Sequence, residues 1–277
     1  MEHINYLYPY WGSEHLSATA FIALARDQGF QGIEINITND KDYEKQFLEV
    51  LNTTRKSDPN FICVLQQVLE VKSETVNDYI TTVLKRLERM LPFEPDFINS
   101  HTGKDYYSFD DNCRVIDAIE TFSETNNIPV YHEIHRGRFT FHSGTTLSYL
   151  ELYPQLKLVG DLSHWCVVSE SMLQDQQHIL KKIIPHIQHI HARVGFEQAP
   201  QVNHPFAPEW ENYLKHYLDW WQRIINEHKV VDAFTITTEF GPYPYMPQAP
   251  FTKEPLANQH EINMAMKTYL ENHLSIS

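Results

Sequence analysis

Short runs of apolar or alternating residues recur along the chain, separated by longer amphipathic stretches. The short runs predict strands at "INYLY" (4–8), "GIEINI" (32–37), "FICVLQ" (61–66), "DFINS" (96–100), "IPVYHE" (128–133), "LKLVGD" (156–161), "IQHIHAR" (187–193) and "AFTITTE" (233–239). The stretches between them carry helical spacing. "SEHLSATAFIALARDQGF" (13–30) has Ser13 as a candidate N-cap and stops at Gly29. "VNDYITTVLKRLERML" (76–91) puts Val76, Ile80, Val83, Leu84, Leu87 and Leu91 on one stripe. "NCRVIDAIETFSETNN" (112–127) behaves alike, and so does "EWENYLKHYLDWWQRIINEH" (209–228). In the last, Trp210, Tyr213, Leu214, Tyr217, Trp221, Ile224 and Ile225 form the core face. Trp220 falls off that face and marks a candidate subunit contact, which would make the protein a homo-oligomer.

Strands alternating with helices predict a parallel sheet. Eight of them favour closure into a (β/α)8 TIM barrel with outer helices, one domain over residues 1–277. No Gly-rich loop follows the first strand, which argues against a dinucleotide-binding sheet. A long loop, "HARVGFEQAPQVNHPFAPEW" (191–210), follows the seventh strand.

Composition narrows the partners. The chain is 42% hydrophobic and 13% aromatic, enough for a large core, and its formal charge of −14 repels phosphodiester backbones. Nucleic acid is therefore not an expected partner. Cys63, Cys113 and Cys166 lack any CxxC spacing and fit reduced thiols in a cytosol-like compartment. No run has the length of a membrane span, and "MEHINYLYPYWG" lacks the basic and apolar regions of a signal peptide. A cytoplasmic protein without membrane contact is the expectation. Histidine is over-represented, at sixteen.

The histidines lead to the chemistry. "YHEIHRGRFTFHSG" (131–144) sets Glu133 among His132, His135, Arg136, Arg138 and His142 where the fifth strand ends. In a barrel, groups at the C-terminal strand ends converge on one mouth. Strand five ends in Glu133, strand six in Asp161, strand seven carries His191 and strand eight ends in Glu239. Three carboxylates crowded in a cleft would repel and take up protons, a conflict that a divalent cation removes. With one imidazole they suit Mn²⁺, Mg²⁺ or Co²⁺, and Zn²⁺ is also compatible. His132, one residue out of phase, should point away from the mouth. Arg136 is placed to grip a substrate carboxylate or phosphate bidentately. Otherwise Arg136 and Arg138 would pair with surface acids such as Glu170 or Glu151. His101, Gln66, Trp11, Trp165 and His204 are further candidates for the mouth, and Glu34 should bond neighbouring strand-end groups.

The motifs "YHEIH", "GDLSHW", "HIHAR" and "TTEFG" resemble the metal-binding strand ends of the xylose-isomerase-like barrel superfamily. That superfamily includes tagatose and allulose 3-epimerases, hydroxypyruvate isomerase, inosose and 3-dehydroshikimate dehydratases, and endonuclease IV. The resemblance implies a metal set of Glu133, Asp161, His191 and Glu239, with Glu133 and Glu239 also moving the proton. It implies substrate contacts from His164, three residues after the aspartate. Two positions depart from the epimerase pattern: Glu197 stands where those enzymes have an arginine, and Phe139 where they have a glutamate. Arg136, Arg138 and Arg193 are then the candidates for the cationic group, and His101 is a further substrate-binding candidate. The implied activity is isomerisation or epimerisation of a small sugar or sugar acid through a metal-stabilised enediolate. The alternative is a dehydratase on a polyhydroxy ketone. An endonuclease-IV-like phosphodiesterase would need an Asp-x-His pair downstream, where Val202 precedes His204.

Overall fold

A computed structural model describes residues 3–70, 72, 74–228 and 233–276. Eight strands follow one another around a closed barrel: β1 (His3–Pro9), β2 (Gly32–Ile35), β3 (Ile62–Gln67), β4 (Phe97–Ser100), β5 (Val130–Glu133), β6 (Leu158–Gly160), β7 (Ile187–His191) and β8 (Ala233–Thr237). Every neighbouring pair is parallel, and β8 closes on β1. Around it lie α1 (Ala18–Asp27), α2 (Lys41–Ser57), α3 (Val76–Glu88), α4 (Phe109–Asn126), α5 (Ser143–Leu152), α6 (Leu162–Ser169), α7 (Gln177–Ile183), α8 (Glu211–Glu227) and α9 (Gln259–His273). The eight-stranded barrel expected from the periodicity is the observed one. Among the described residues no helix is long and apolar enough to cross a membrane.

Because strand side chains alternate, each strand sends every second residue inward. The floor of the barrel is apolar, with Leu7, Val64 and Phe97 packed on Tyr131. Two residues further along, inward groups turn polar: Val64 gives way to Gln66, Phe97 to Asn99 and Tyr131 to Glu133. Pairing between β6 and β7 slips by one residue, with Leu158 opposite Ile187 but Val159 opposite His189. This irregularity sets both β7 histidines in phase with the inward side of β6.

Three details differ from the sequence expectation. Strands β6, β7 and β8 end one or two residues earlier, so Asp161, Arg193 and Glu239 stand just beyond them. The N-cap of α1 is Ser17, whose Oγ accepts from Ala20 N at 3.2 Å, not Ser13. Ser13 instead belongs to the turn that carries the chain off β1, donating its N–H to the Tyr10 carbonyl at 2.7 Å. Trp220 is buried against His216 and Tyr217, because three residues from Tyr217 is still the same helical face. The ground for a subunit contact at Trp220 is thereby removed.

The core accounts for the thiols. Burial pushes Cys63 and Cys166 up to about 12; it raises Cys113 as well, but that thiol is only half-buried and open to reagent. Since the thiolate is the reactive form, a thiol-titrating disulfide reagent at pH 8 should react with Cys113 alone in the native chain and with all three after unfolding. Rapid reaction of two or more native thiols would contradict this packing.

Candidate functional site

Glu133, Asp161, His191 and Glu239 each bring one ligand-type atom into a set whose members lie within 4.8 Å of one another, all four side chains buried. The sequence drew them from four successive strand ends, and the barrel brings them together. Glu133 is the last residue of β5, and its Oε2 accepts from Asn99 Nδ2 at 2.7 Å and His101 Nε2 at 2.9 Å. Burial works against its charge, but His101 and His191 outweigh it and hold the carboxyl well below the usual range. Asp161 caps α6, its Oδ1 accepting from Ser163 N at 3.1 Å. Burial pushes it up to about 6, Arg193 opposing and Glu239 assisting.

Beneath this ring lies a second polar layer centred on Glu34. Its carboxylate accepts from Asn99 Nδ2 at 2.9 Å, Gln66 Nε2 at 3.0 Å, His189 Nε2 at 3.2 Å and His191 Nε2 at 3.0 Å. Despite complete burial, the two histidines keep Glu34 well below the normal carboxylate range. With His191 Nε2–H committed to Glu34, its Nδ1 faces the ring, 2.8 Å from Glu239 Oε2 and 3.9 Å from Glu133 Oε1. Neither His191 Nδ1 nor Glu239 Oε2 has a partner in hydrogen-bond geometry, though both are buried.

That pair is the test of whether a metal fits. A ligating histidine characteristically gives its other ring N–H to a carboxylate, which fixes the tautomer and aims the free nitrogen. Glu34 does this for His191. Against burial, the carboxylates around the ring favour its charged form. A divalent ion taking the place of the Nδ1 proton would be bonded by His191 Nδ1 and Glu239 Oε2, two buried atoms left without a partner. The residues present fit a hard divalent ion.

Arg193 is the other cation. Its Nη2 meets Asp161 Oδ2, its Nη1 lies 3.5 Å from Glu239 Oε2, and its guanidinium stacks 4.6 Å from the Tyr245 ring centroid. Nη2 also lies 3.1 Å from His164 Nε2, so His164 accepts there. Burial, with the charges of His135 and Arg193 nearby, holds His164 well below its ordinary range and therefore neutral.

A cavity of about 690 Å³ opens above the ring, with Glu133, Glu239, His101, Arg193, Trp11 and Tyr245 among its walls. Gln66 reaches it as expected, 3.4 Å from Glu239. Other candidates do not. Trp165 is in the core, donating Nε1–H to the Thr140 carbonyl at 2.7 Å. His204 is exposed on its loop against Phe206. Arg136 stands over the outer aromatic Tyr245 at 5.4 Å and is not among the cavity walls. Neither Arg136 nor Arg138 pairs with Glu170 or Glu151: Glu151 faces Lys182 at 3.9 Å, and Arg138 lies 3.4 Å from His101 Nδ1. That contact leaves His101 Nε2–H for Glu133. His132 points outward as expected, bonding Thr102 at 2.7 Å and Glu120 at 3.1 Å. His189 and Asn99 were missed, although the step of two between His189 and His191 in "HIHAR" signals a shared face.

No protein-family model and no curated protein matches the chain. Solved structures do. A probable 3-DHS dehydratase of Bacillus anthracis superposes with a TM-score of 0.64 at 20% identity, covering 97% of this chain and 99% of its own. A 3-keto-D-glucoside 4-epimerase of E. coli gives 0.59 at 9% identity, covering 97% and 99%. A xylose isomerase-like TIM barrel protein of Mycobacterium smegmatis, in complex with magnesium, gives 0.60 at 11% identity, covering 98% of each chain. The fold is that of the xylose isomerase-like TIM barrels.

Proposed function

We propose that the chain is a divalent-metal-dependent isomerase or epimerase acting on a small sugar or sugar acid. The observation that carries this is the buried set of Glu133, Asp161, His191 and Glu239, with His191 oriented by Glu34. A divalent ion held by those four would supply Lewis acidity to a substrate carbonyl and its neighbouring hydroxyl, making the adjacent C–H acidic enough for a carboxylate. The protein's own groups do the rest. Glu239 and Glu133 are the pair that takes and returns the proton, from the two sides of His191. His101 holds Glu133 ionised and oriented through its Nε2–H. Arg193, stacked on Tyr245, presents its charge to substrate oxygens. Trp11 and Tyr245 wall the site against water.

The same site supports a dehydratase as a second reading, favoured by the 20% identity with the Bacillus anthracis barrel. There the proton taken next to the carbonyl by one glutamate is handed to the departing β-hydroxyl, which leaves as water and restores the carboxylate.

Metal analysis of purified protein, as isolated and after loading with Mn²⁺, Mg²⁺ or Co²⁺, should give about one equivalent per chain. Solvent deuterium should then enter recovered ketoses or sugar acids without loss of water. A new conjugated-carbonyl absorbance would mark the dehydratase. A chain that binds no divalent ion under any loading would end both readings.

A further inference from the structure

The cavity does not stop at the carboxylates. Away from them its wall is built from the β2–α2 connection and one face of α3. Thr82, Lys85, Arg86 and Arg89 recur there at three- and four-residue spacing, flanking the buried stripe of Tyr79, Val83 and Leu87. In a chain of net charge −14 this is a local concentration of cations.

They are held mainly by neutral oxygens. Arg86 donates to Asn36 Oδ1 at 2.8 Å and to the Ile37 carbonyl. Arg89 donates to Asn39 Oδ1 at 2.9 Å and the Thr38 carbonyl at 2.8 Å, and pairs with Glu44 at 2.9 Å. Asn39 Oδ1 also lies 3.5 Å from Arg86 Nη1, so two guanidiniums crowd one amide oxygen. One carboxylate therefore serves two arginines, and Lys85 is exposed with no ion pair among the described residues. Arg86 Nε is buried without a partner. Burial and Arg89 pull Arg86 down to about 10, which leaves it charged at neutral pH. Glu14 and Glu70 also line the cavity, and Lys72 is answered by Glu74 at 3.3 Å. The surplus sits on α3.

We propose that this face of α3 is an oxyanion subsite, taking the carboxylate or phosphate at the far end of a substrate whose carbonyl end lies at the acidic ring. The substrate class is then an anionic polyhydroxy carbonyl compound. The carbonyl half of this assignment rests on the metal-centre reading; the anion half rests on α3. A volume of about 690 Å³ falls within the range of roughly 300–1,000 Å³ that takes drug-sized ligands, room for a chain touching both ends.

Calorimetric titration of Mn²⁺-loaded protein with D-glucitol, D-gluconate, D-glucitol 6-phosphate and inorganic phosphate tests it. At least one charged probe should bind about tenfold more tightly than glucitol, and which one does distinguishes phosphate from carboxylate. R86Q should erase that preference with glucitol affinity unchanged, R86K should restore part of it, and K85Q, at an exposed position, should weaken it. A wild-type preference surviving in R86Q and K85Q, or no preference for any of the three charged probes, overturns the subsite. The metal reading is judged apart, by Mn²⁺ titration of wild type and D161N without any probe.

Discussion

Glu239→Gln is expected to lower turnover by roughly 10²–10⁴-fold at saturating metal, the range a positioned general base contributes. The substitution keeps the shape of a side chain that is 6% exposed and keeps an oxygen for Gln66, 3.4 Å away. What it removes is the basicity and one anionic ligand atom. The new amide would stand 2.8 Å from His191 Nδ1 if turned one way, and its carbonyl oxygen would stand there if turned the other. Metal affinity should therefore weaken as well, and the two losses are separated by measuring turnover across a Mn²⁺ titration. A defect that vanishes at high Mn²⁺ would make Glu239 a ligand only. A variant with wild-type turnover at every concentration would remove it from the chemistry. Deuterium uptake into substrate should fall with turnover, because both need the same proton abstraction.

How much of this could be seen in the chain before the fold depends on the physical signal at each position. Glu133 and His191 end strands whose apolar alternation is strong, so their place at the mouth followed from periodicity. Asp161 and Glu239 lie past their strands, yet each stands two residues beyond an inward-facing strand residue, Val159 and Thr237, and shares its phase. Arg193 keeps it too, though in a loop. His189 escaped because attention to strand ends ignores the layer below, where period two gives the same inward direction. The slip between Leu158 and Val159 leaves no mark in composition and could not have been anticipated. Arg86 was overlooked for a different reason. The apolar stripe of its helix explains why the helix packs, but says nothing about what the face beside it borders. Trp165 and His204 show the converse: proximity in sequence to a strand end does not decide direction once a helix or a loop has begun.

Glu34→Ala should cost about 3–5 kcal/mol of stability, the usual penalty for removing one partner of a buried ion pair. Glu34 is 1% exposed and joins β2 to β3, β4 and β7 through Gln66, Asn99, His189 and His191. Thr237 on β8 donates to it as well. Truncation leaves all of those donors facing a hole, and His191 loses one of the carboxylates that support its charge. For a domain of this size the melting temperature should fall by roughly 10 °C. The comparison belongs in chelator-treated protein, since an ion bound to the native state alone would add its own stabilisation to wild type. Glu34→Gln should lie between the two, because its amide group would confront a histidine N–H on one side while its oxygen still accepts on the other. In metal-loaded protein the same variants should bind Mn²⁺ more weakly, His191 no longer being held in the tautomer that frees Nδ1. A Glu34→Ala protein that melts within 2 °C of wild type would mean that the polar layer beneath the ring is carried by solvent rather than by this carboxylate, and that His191 owes its orientation to packing alone.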